Sequence, residues 1–364
     1  MTNSAPFFSD DERRRYARHF SLAELGEGGQ QKLKAARVLC IGAGGLGSPL
    51  LLYLAAAGVG TIGICDFDSV DVSNLQRQVL FDDRDTGHNK AEVAARRLSA
   101  LNPHINIRVH PKKLSAANAL QLFSNYDIIA DGSDNFPTRY LANDAAVLAK
   151  KPLVFGAVSR FEGQVSVFNL LLADGKRSPH YRDLFPQPPA AGAVLSCAEA
   201  GVLGVLPGII GSMMASEVIK IITGIGDTLA GRFFLFDAAS FSSRILKIRK
   251  NAAVKITELI DYDFFCGEKA DEISPAEFTK LKANNASFRL LDVREKEEYD
   301  RENIGGLLLP LSEFPAVLNN LPKDAFYIVH CQSGKRSRRA VSIMTANGFS
   351  DVTSLQGDIR NLFD

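Results

Sequence analysis

Val38–Cys65, VLCIGAGGLGSPLLLYLAAAGVGTIGIC, carries no charged residue, and no other stretch limits the fold of this chain so strongly. The run is long enough to cross a bilayer. Gly42, Gly44, Gly45 and Gly47, then Pro49 and the Gly58-Val59-Gly60 step, cut it instead into strand, turn, helix and strand, which predicts a segment enclosed by protein. A second uncharged stretch, Ala200–Ser216, is likewise broken by glycine and proline and leads into EVIKIITG, predicting a buried helix. Around these runs, strand patterns (RVLCIG, TIGICD, INIRVH, DIIAD, PLVFGA) alternate with helical ones (KAEVAARRLSAL, FPTRYLANDAAVLAK), the signature of an α/β fold on a parallel sheet. With 364 residues and 46% hydrophobic content the chain can fill more than one core. Charge and turn density rise after Lys250, and a fresh helix and strand series follows Ile273. The expected division is therefore residues 1–250, a linker over 251–272, and a small α/β domain over 273–364.

A net charge of +1 exerts no global pull on nucleic acid or membrane, so neither is an expected partner. Five scattered cysteines form no close pair and suit a reducing compartment. The opening MTNSAPFFSDDERRRYARHF has no apolar core of a secretory leader, so a cytoplasmic location is expected.

Gly42-Ala43-Gly44-Gly45-Leu46-Gly47 follows a strand and opens a helix, so backbone N–H groups and the positive helix end can face phosphate oxygens. Nineteen residues after Gly47, Asp66 ends the next strand, where a carboxylate can accept ribose hydroxyls. This much fits NAD as well as ATP. Asn74, Arg77 and Lys90 follow on the same side, and so many fixed polar donors suit a triphosphate that loses pyrophosphate better than a hydride carrier. Asp134, in DGSDN after the strand DIIAD, is placed to hold Mg²⁺ on the phosphates. Singly, each has an ordinary reading: loop cations are usually solvated, and an aspartate before a helix is usually a cap.

RYARH, GAGGLGSP, DFDSVDVSNLQRQ, GHNK, DGSDN and SCAEAGVLG, in that order over roughly residues 13 to 250, resemble the motifs of the ThiF/MoeB superfamily, the bacterial relatives of ubiquitin-activating enzymes. The resemblance implies a Rossmann-like homodimer that uses ATP to adenylate the C-terminal glycine of a ubiquitin-like sulfur carrier ending in Gly-Gly. It also implies that Arg18 reaches the ATP of the other subunit, with His19 standing where the family has glutamine. The attacking carboxylate is already ionised at neutral pH, so alignment and charge neutralisation suffice and no general base is needed.

Cys197 lies in a proline-rich segment, SPHYRDLFPQPPAAGAVLSC, that favours extended chain. The resemblance implies that this segment crosses the active site and that Cys197 can bond to the carrier. Many relatives hold a structural zinc with two CxxC pairs; here the positions read His180 to Asp183 and Asp263 to Cys266, which keeps one sulfur of four. A zinc-less, rhodanese-tailed (MoeZ-like) subgroup shares the YRDL and FCG readings, so no zinc is expected.

In HCQSGKRS, Cys331 leaves an apolar strand and Arg336 closes a six-residue loop that runs into a helix. Successive N–H groups and the helix end favour an anionic sulfur there. Phosphatases use the same device with one residue more, so the shorter loop points to sulfur. With Asp292 and Arg294 in LLDVRE upstream and SLQGDI downstream, residues 273 to 364 resemble the rhodanese family, although Asn303 replaces a common histidine and Asp358 a usual glycine. The expected protein joins an adenylyltransferase to a sulfurtransferase. A Cys331 persulfide, loaded by thiosulfate or a persulfide-carrying desulfurase, attacks the acyl-adenylate, and Cys197 releases the thiocarboxylate. Molybdopterin, thiamin, cysteine and tRNA-thiolation routes all remain open, as does a carrier-binding scaffold whose rhodanese module only docks a donor.

Overall fold

The structure is a computed structural model that describes residues 7–189, 200–266, 271–284, 286–314 and 318–357; Cys197 and Asp358 lie outside the described residues. The described residues up to Gln187 and from 200 to 260 form one compact unit, and those from Asp261 onward form a second.

The first unit is built on eight strands: β1 (Arg37–Ile41), β2 (Thr61–Cys65), β3 (Asn106–His110), β4 (Ile128–Asp131), β5 (Leu153–Ser159), β6 (Glu162–Phe168), β7 (Arg232–Asp237) and β8 (Ser242–Lys247). Their spatial order is β3-β2-β1-β4-β5-β6-β7-β8. The first five are parallel, as the strand and helix alternation predicts. The last three continue antiparallel, which the alternation does not predict. The reason is local. β5 and β6 pair Ser159 with Glu162, so only Arg160 and Phe161 form the turn, and Arg160 adopts φ +53° without a glycine or asparagine to announce it.

The glycine-punctuated run becomes β1, a helix over Gly47–Ala57 and β2, and the second uncharged run becomes a helix over Val205–Thr223. Leu50, Leu51 and Leu54 of the first helix and Leu206, Ile210, Met214 and Val218 of the second have no exposed surface, and all belong to one core. The two helices approach closely because Gly211 has no side chain: a Cβ there would lie 2.4 Å from the Leu46 carbonyl oxygen. Val205–Thr223 is long and apolar enough to cross a membrane, but here it packs on the sheet as a core helix.

The second unit is a five-stranded parallel sheet of β9 (Glu272–Ile273), β10 (Arg289–Asp292), β11 (Leu307–Leu308), β12 (Tyr327–His330) and β13 (Val352–Leu355), ordered β11-β10-β12-β13-β9. β12 is central and buried along its whole length, which accounts for its continuous apolar character. Ser274 and Glu277 cap the helix Pro275–Ala283 reciprocally, and the amphipathic helix Lys335–Ala346 follows β12. Of the segment expected as a linker, Asn251 is tied to the first unit by donation from its N–H to Asp183 Oδ1 at 2.8 Å, whereas Glu272–Ile273 belongs to the second sheet.

Leu50→Ala deletes buried volume where the two apolar helices meet, so denaturant unfolding of the full chain should show a loss of about 2–5 kcal/mol in the first transition.

Candidate functional site

Strand register builds the first site. Ile41 pairs with Cys65 on one side and with Asp131 on the other, so β2, β1 and β4 end level with one another. The chain order reverses at this point of the sheet, and the following residues, Asp66, Gly42 and Gly132, open into one crevice. Gly42 has φ +84°, and a Cβ on it would lie 3.2 Å from the Gly132 oxygen. Gly47 lies beneath the loop, where a Cβ would fall 2.1 Å from the Gly42 oxygen. Gly44 and Gly45 line the crevice.

Asp66, expected to face a ribose, also ties down the glycine loop. Its Oδ2 accepts the Ala43 N–H at 2.7 Å and its Oδ1 the Asp68 N–H at 2.9 Å, so this carboxylate fixes the shape of the glycine loop. Burial pushes the Asp66 carboxyl above its usual range, against the lowering effect of those two donors.

Arg77, Lys90 and Asp134 line the same cleft. Lys90 opens the helix Lys90–Leu101, capped by Asn89, and its nearly buried ammonium lies 3.3 Å from Asp68 Oδ2. Arg77 donates to the Ser73 carbonyl at 3.0 Å. Asp134 is exposed, and among the described residues its hydrogen-bond contact is a long one, 3.5 Å from Asn135 Nδ2. An open carboxylate oxygen of this kind fits Mg²⁺. Among the described residues, Asn74 and Arg18 do not line this cleft: Asn74 lies in a short 3₁₀ turn, and Arg18 is exposed on the helix Ala17–Phe20.

Sequence reasoning passed over Asp68, Gln78, Lys112, Lys113 and Arg139, all of which line the cleft. Lys112 and Lys113 follow β3 and Arg139 lies on the helix after β4; the rule that ligands bind beyond the carboxyl ends of parallel strands could have found them. Arg139 stacks over Phe136 and Phe155 and donates to the Ser133 carbonyl. Cys40 and Cys65 are buried; burial pushes both up, Cys65 to about 12.

At the positions where relatives hold zinc, Asp183 is committed elsewhere. Its Oδ2 accepts the His180 N–H at 2.7 Å in a helix cap, and its Oδ1 accepts the Asn251 N–H. Among the described residues, no group of three or more His, Cys, Asp or Glu side chains stands together as a metal site.

In the second unit, Asp292 pairs with His330, so Cys331 emerges at the carboxyl edge of the central strand. Its sulfur is buried and accepts the Ser337 N–H at 3.4 Å from the first turn of the helix Lys335–Ala346. Gly334, at φ +84°, makes the tight turn into that helix. Arg294 lies beside the loop, fully buried, with Nη2 2.7 Å from Asp292 Oδ2 and 2.7 Å from the Glu302 carbonyl and with Nη1 3.5 Å from Gln332 Oε1. Arg336 donates two bonds of 2.6 Å to Glu298, a residue that carries no sequence signal of its own. Arg336 holds the Glu298 carboxyl down at about 2. The stabilisation from this lowered carboxyl is complete above the unfolded value of about 4.3 and is lost as pH falls toward about 2. Asn303, at the position of the common histidine, donates to the Tyr299 carbonyl and accepts the Gly305 N–H, a purely local role.

Comparison with known proteins agrees with both units. The ThiF family model matches residues 16–256, and the rhodanese-like domain model matches residues 274–362. "Probable adenylyltransferase/sulfurtransferase MoeZ" of Mycobacterium tuberculosis is 49% identical over 372 residues, covering 99% of this chain and 95% of the relative. "Sulfur carrier protein adenylyltransferase" of Thermus thermophilus is 51% identical over 267 residues, covering 71% of this chain and 98% of the relative. The crystal structure of E. coli MccB with MccA-N7isoASN superposes with a TM-score of 0.59 at 20% identity, covering 68% of this chain and 75% of that one, a likeness of fold alone. By sequence over nearly its whole length and by fold, the chain belongs to the ThiF family and carries a rhodanese-like domain at its C-terminal end.

Proposed function

We propose that residues 1–250 adenylate the C-terminal glycine of a ubiquitin-like sulfur carrier and that residues 273–364 supply the sulfur converting it to a thiocarboxylate. The chain is an adenylyltransferase and a sulfurtransferase, the two activities named for its MoeZ relative, and ATP is the nucleotide of such a family. The observation that carries this reading is the convergence of Gly42, Gly44, Gly45, Asp66, Arg77, Lys90 and Asp134 on one cleft.

The carrier's carboxylate attacks the α-phosphorus of ATP, and pyrophosphate leaves. Lys90 and Arg77 neutralise the charge growing on the leaving group, the glycine loop offers its N–H groups to the phosphates, and Asp66 accepts from the ribose. Asp134 would hold Mg²⁺, which when bound draws charge from the phosphate oxygens. Arg18, absent from its own cleft, acts on the partner's site in a homodimer.

At the second site the terminal sulfur of a Cys331 persulfide attacks the acyl-adenylate carbonyl and AMP leaves, giving an acyl disulfide. The thiolate of Cys197 then attacks the Cys331 sulfur of that bond. The carrier departs as its thiocarboxylate, and a Cys331–Cys197 disulfide is left for an external thiol reductant. Arg336 closes the loop that carries the Cys331 sulfur. The reading includes no structural zinc, no nucleic-acid or membrane partner, and a cytoplasmic setting.

Asp134→Ala should lower carrier-dependent ATP–pyrophosphate exchange at least a hundredfold with an unchanged unfolding curve, and near-normal exchange would count against the metal role. Cys331→Ser should keep exchange within about twofold of wild type while eliminating thiocarboxylate, read by intact mass of the carrier; full thiocarboxylate yield would overturn the sulfur route. Arg18→Ala mixed with Lys90→Ala should recover part of the exchange that each lacks, because the mixed dimer contains one intact site. No recovery would assign Arg18 to its own subunit or to neither.

A further inference from the structure

Arg336 is the charged residue that closes the Cys331 loop, yet its guanidinium is already occupied. Both terminal nitrogens donate to Glu298, each at 2.6 Å, and the two side chains are equally exposed at 32%. Arg336 stands in the first turn of the helix that follows the Cys331 loop, and its two bonds hold the Glu298 carboxylate beside that turn. Glu295 adds a second negative charge within electrostatic reach of Arg336. The other arginine at the loop, Arg294, is neutralised by Asp292 at 2.7 Å. The loop therefore offers an incoming donor little uncompensated positive charge from these arginines.

This matters because sulfur donors differ in charge. Thiosulfate is a compact dianion and needs cationic complement, whereas the sulfane sulfur of an alkyl persulfide carries at most one negative charge. Resting on the sulfurtransferase reading above, we infer that Glu298 sets donor choice at Cys331, favouring an alkyl persulfide over thiosulfate by masking Arg336. The Cys331 thiolate attacks the terminal sulfur of R–S–SH, the donor's S–S bond breaks, R–S⁻ leaves and takes up a proton, and Cys331 keeps the sulfane sulfur as a persulfide. With thiosulfate the same attack expels sulfite. Both exchanges balance without an added oxidant or reductant. Glu298 acts through Arg336 and is a positioning residue.

The test compares full-length wild type, Glu298→Gln and Glu298→Asp. Donors are thiosulfate, followed by steady-state sulfur transfer to cyanide, and cysteine persulfide, followed by intact-mass loading of Cys331. Glu298→Gln should lower the KM for thiosulfate about tenfold with kcat within about twofold, and should leave the loading rate by cysteine persulfide unchanged. Glu298→Asp keeps the charge and should keep the wild-type KM. A Glu298→Gln protein with unchanged thiosulfate KM, or one in which both donors gain or lose alike, would make the pair a structural tie and overturn the inference. So would a Glu298→Asp protein that behaves like the Gln variant. Loading of Cys331 by both donors with no donor-specific change defeats this inference alone; loading by neither donor in any of the three proteins defeats the sulfurtransferase reading and the inference with it.

Discussion

The hydrogen bond from the Ala43 N–H to the Asp66 carboxylate joins the end of β1 to the end of β2, and the cleft beyond the parallel strands is arranged around it. A glycine-rich loop by itself has too many conformations to serve as a binding surface, since glycine loses more freedom on ordering than any other residue. Three restraints remove that freedom here. Gly42 donates to the Cys65 carbonyl at 2.9 Å, Gly132 donates to the Ile41 carbonyl at 3.0 Å, and Asp66 holds Ala43. The cost is a carboxylate kept in a buried place, which is why its carboxyl stands above the usual range. One residue thus shapes the glycine loop and borders the same cleft.

The second unit solves a similar problem with a charge pair. Asp292 and Arg294 are both buried, and removal of either partner would leave the other charge uncompensated at a cost of about 3–5 kcal/mol. Arg294 spends its remaining donors on the Glu302 carbonyl and on Gln332, so the pair anchors the segment after β10 and the loop that carries Cys331. Two residues read in the sequence only as a rhodanese-like signature are in physical terms the bracket of the sulfur loop.

Much of this was legible in the residues. Uncharged runs cut by glycine read as buried strands and helices, as the structure has them, and Gly42, Asp66, Lys90 and Asp134, singled out by spacing and residue type, line one cleft. The antiparallel ribbon was hidden because Arg160 takes a left-handed conformation that usually marks glycine or asparagine. Glu298 was hidden for another reason: its partner is 38 residues away, and one glutamate in a charged helix looks like any other until the fold brings Arg336 to it. Asn74 looked equivalent to Arg77 in the sequence, yet a 3₁₀ turn carries it off the cleft while Arg77 remains on it.

The cysteines show how position relative to a strand end governs chemistry. Cys40, inside β1, is enclosed by the core, and burial pushes its thiol up. Cys65, the last residue of β2, touches the cleft; its thiol donates to the Lys112 carbonyl at 3.4 Å, and burial, with the nearby Asp66 charge, pushes it up to about 12. Cys331 is buried too, yet it stands one residue beyond its strand, where its sulfur accepts the Ser337 N–H at 3.4 Å and its thiol faces the Ser337 hydroxyl at 3.6 Å. Burial is common to all three thiols; the Cys331 sulfur differs in facing a backbone N–H at the start of a helix, the geometry on which the proposed persulfide rests.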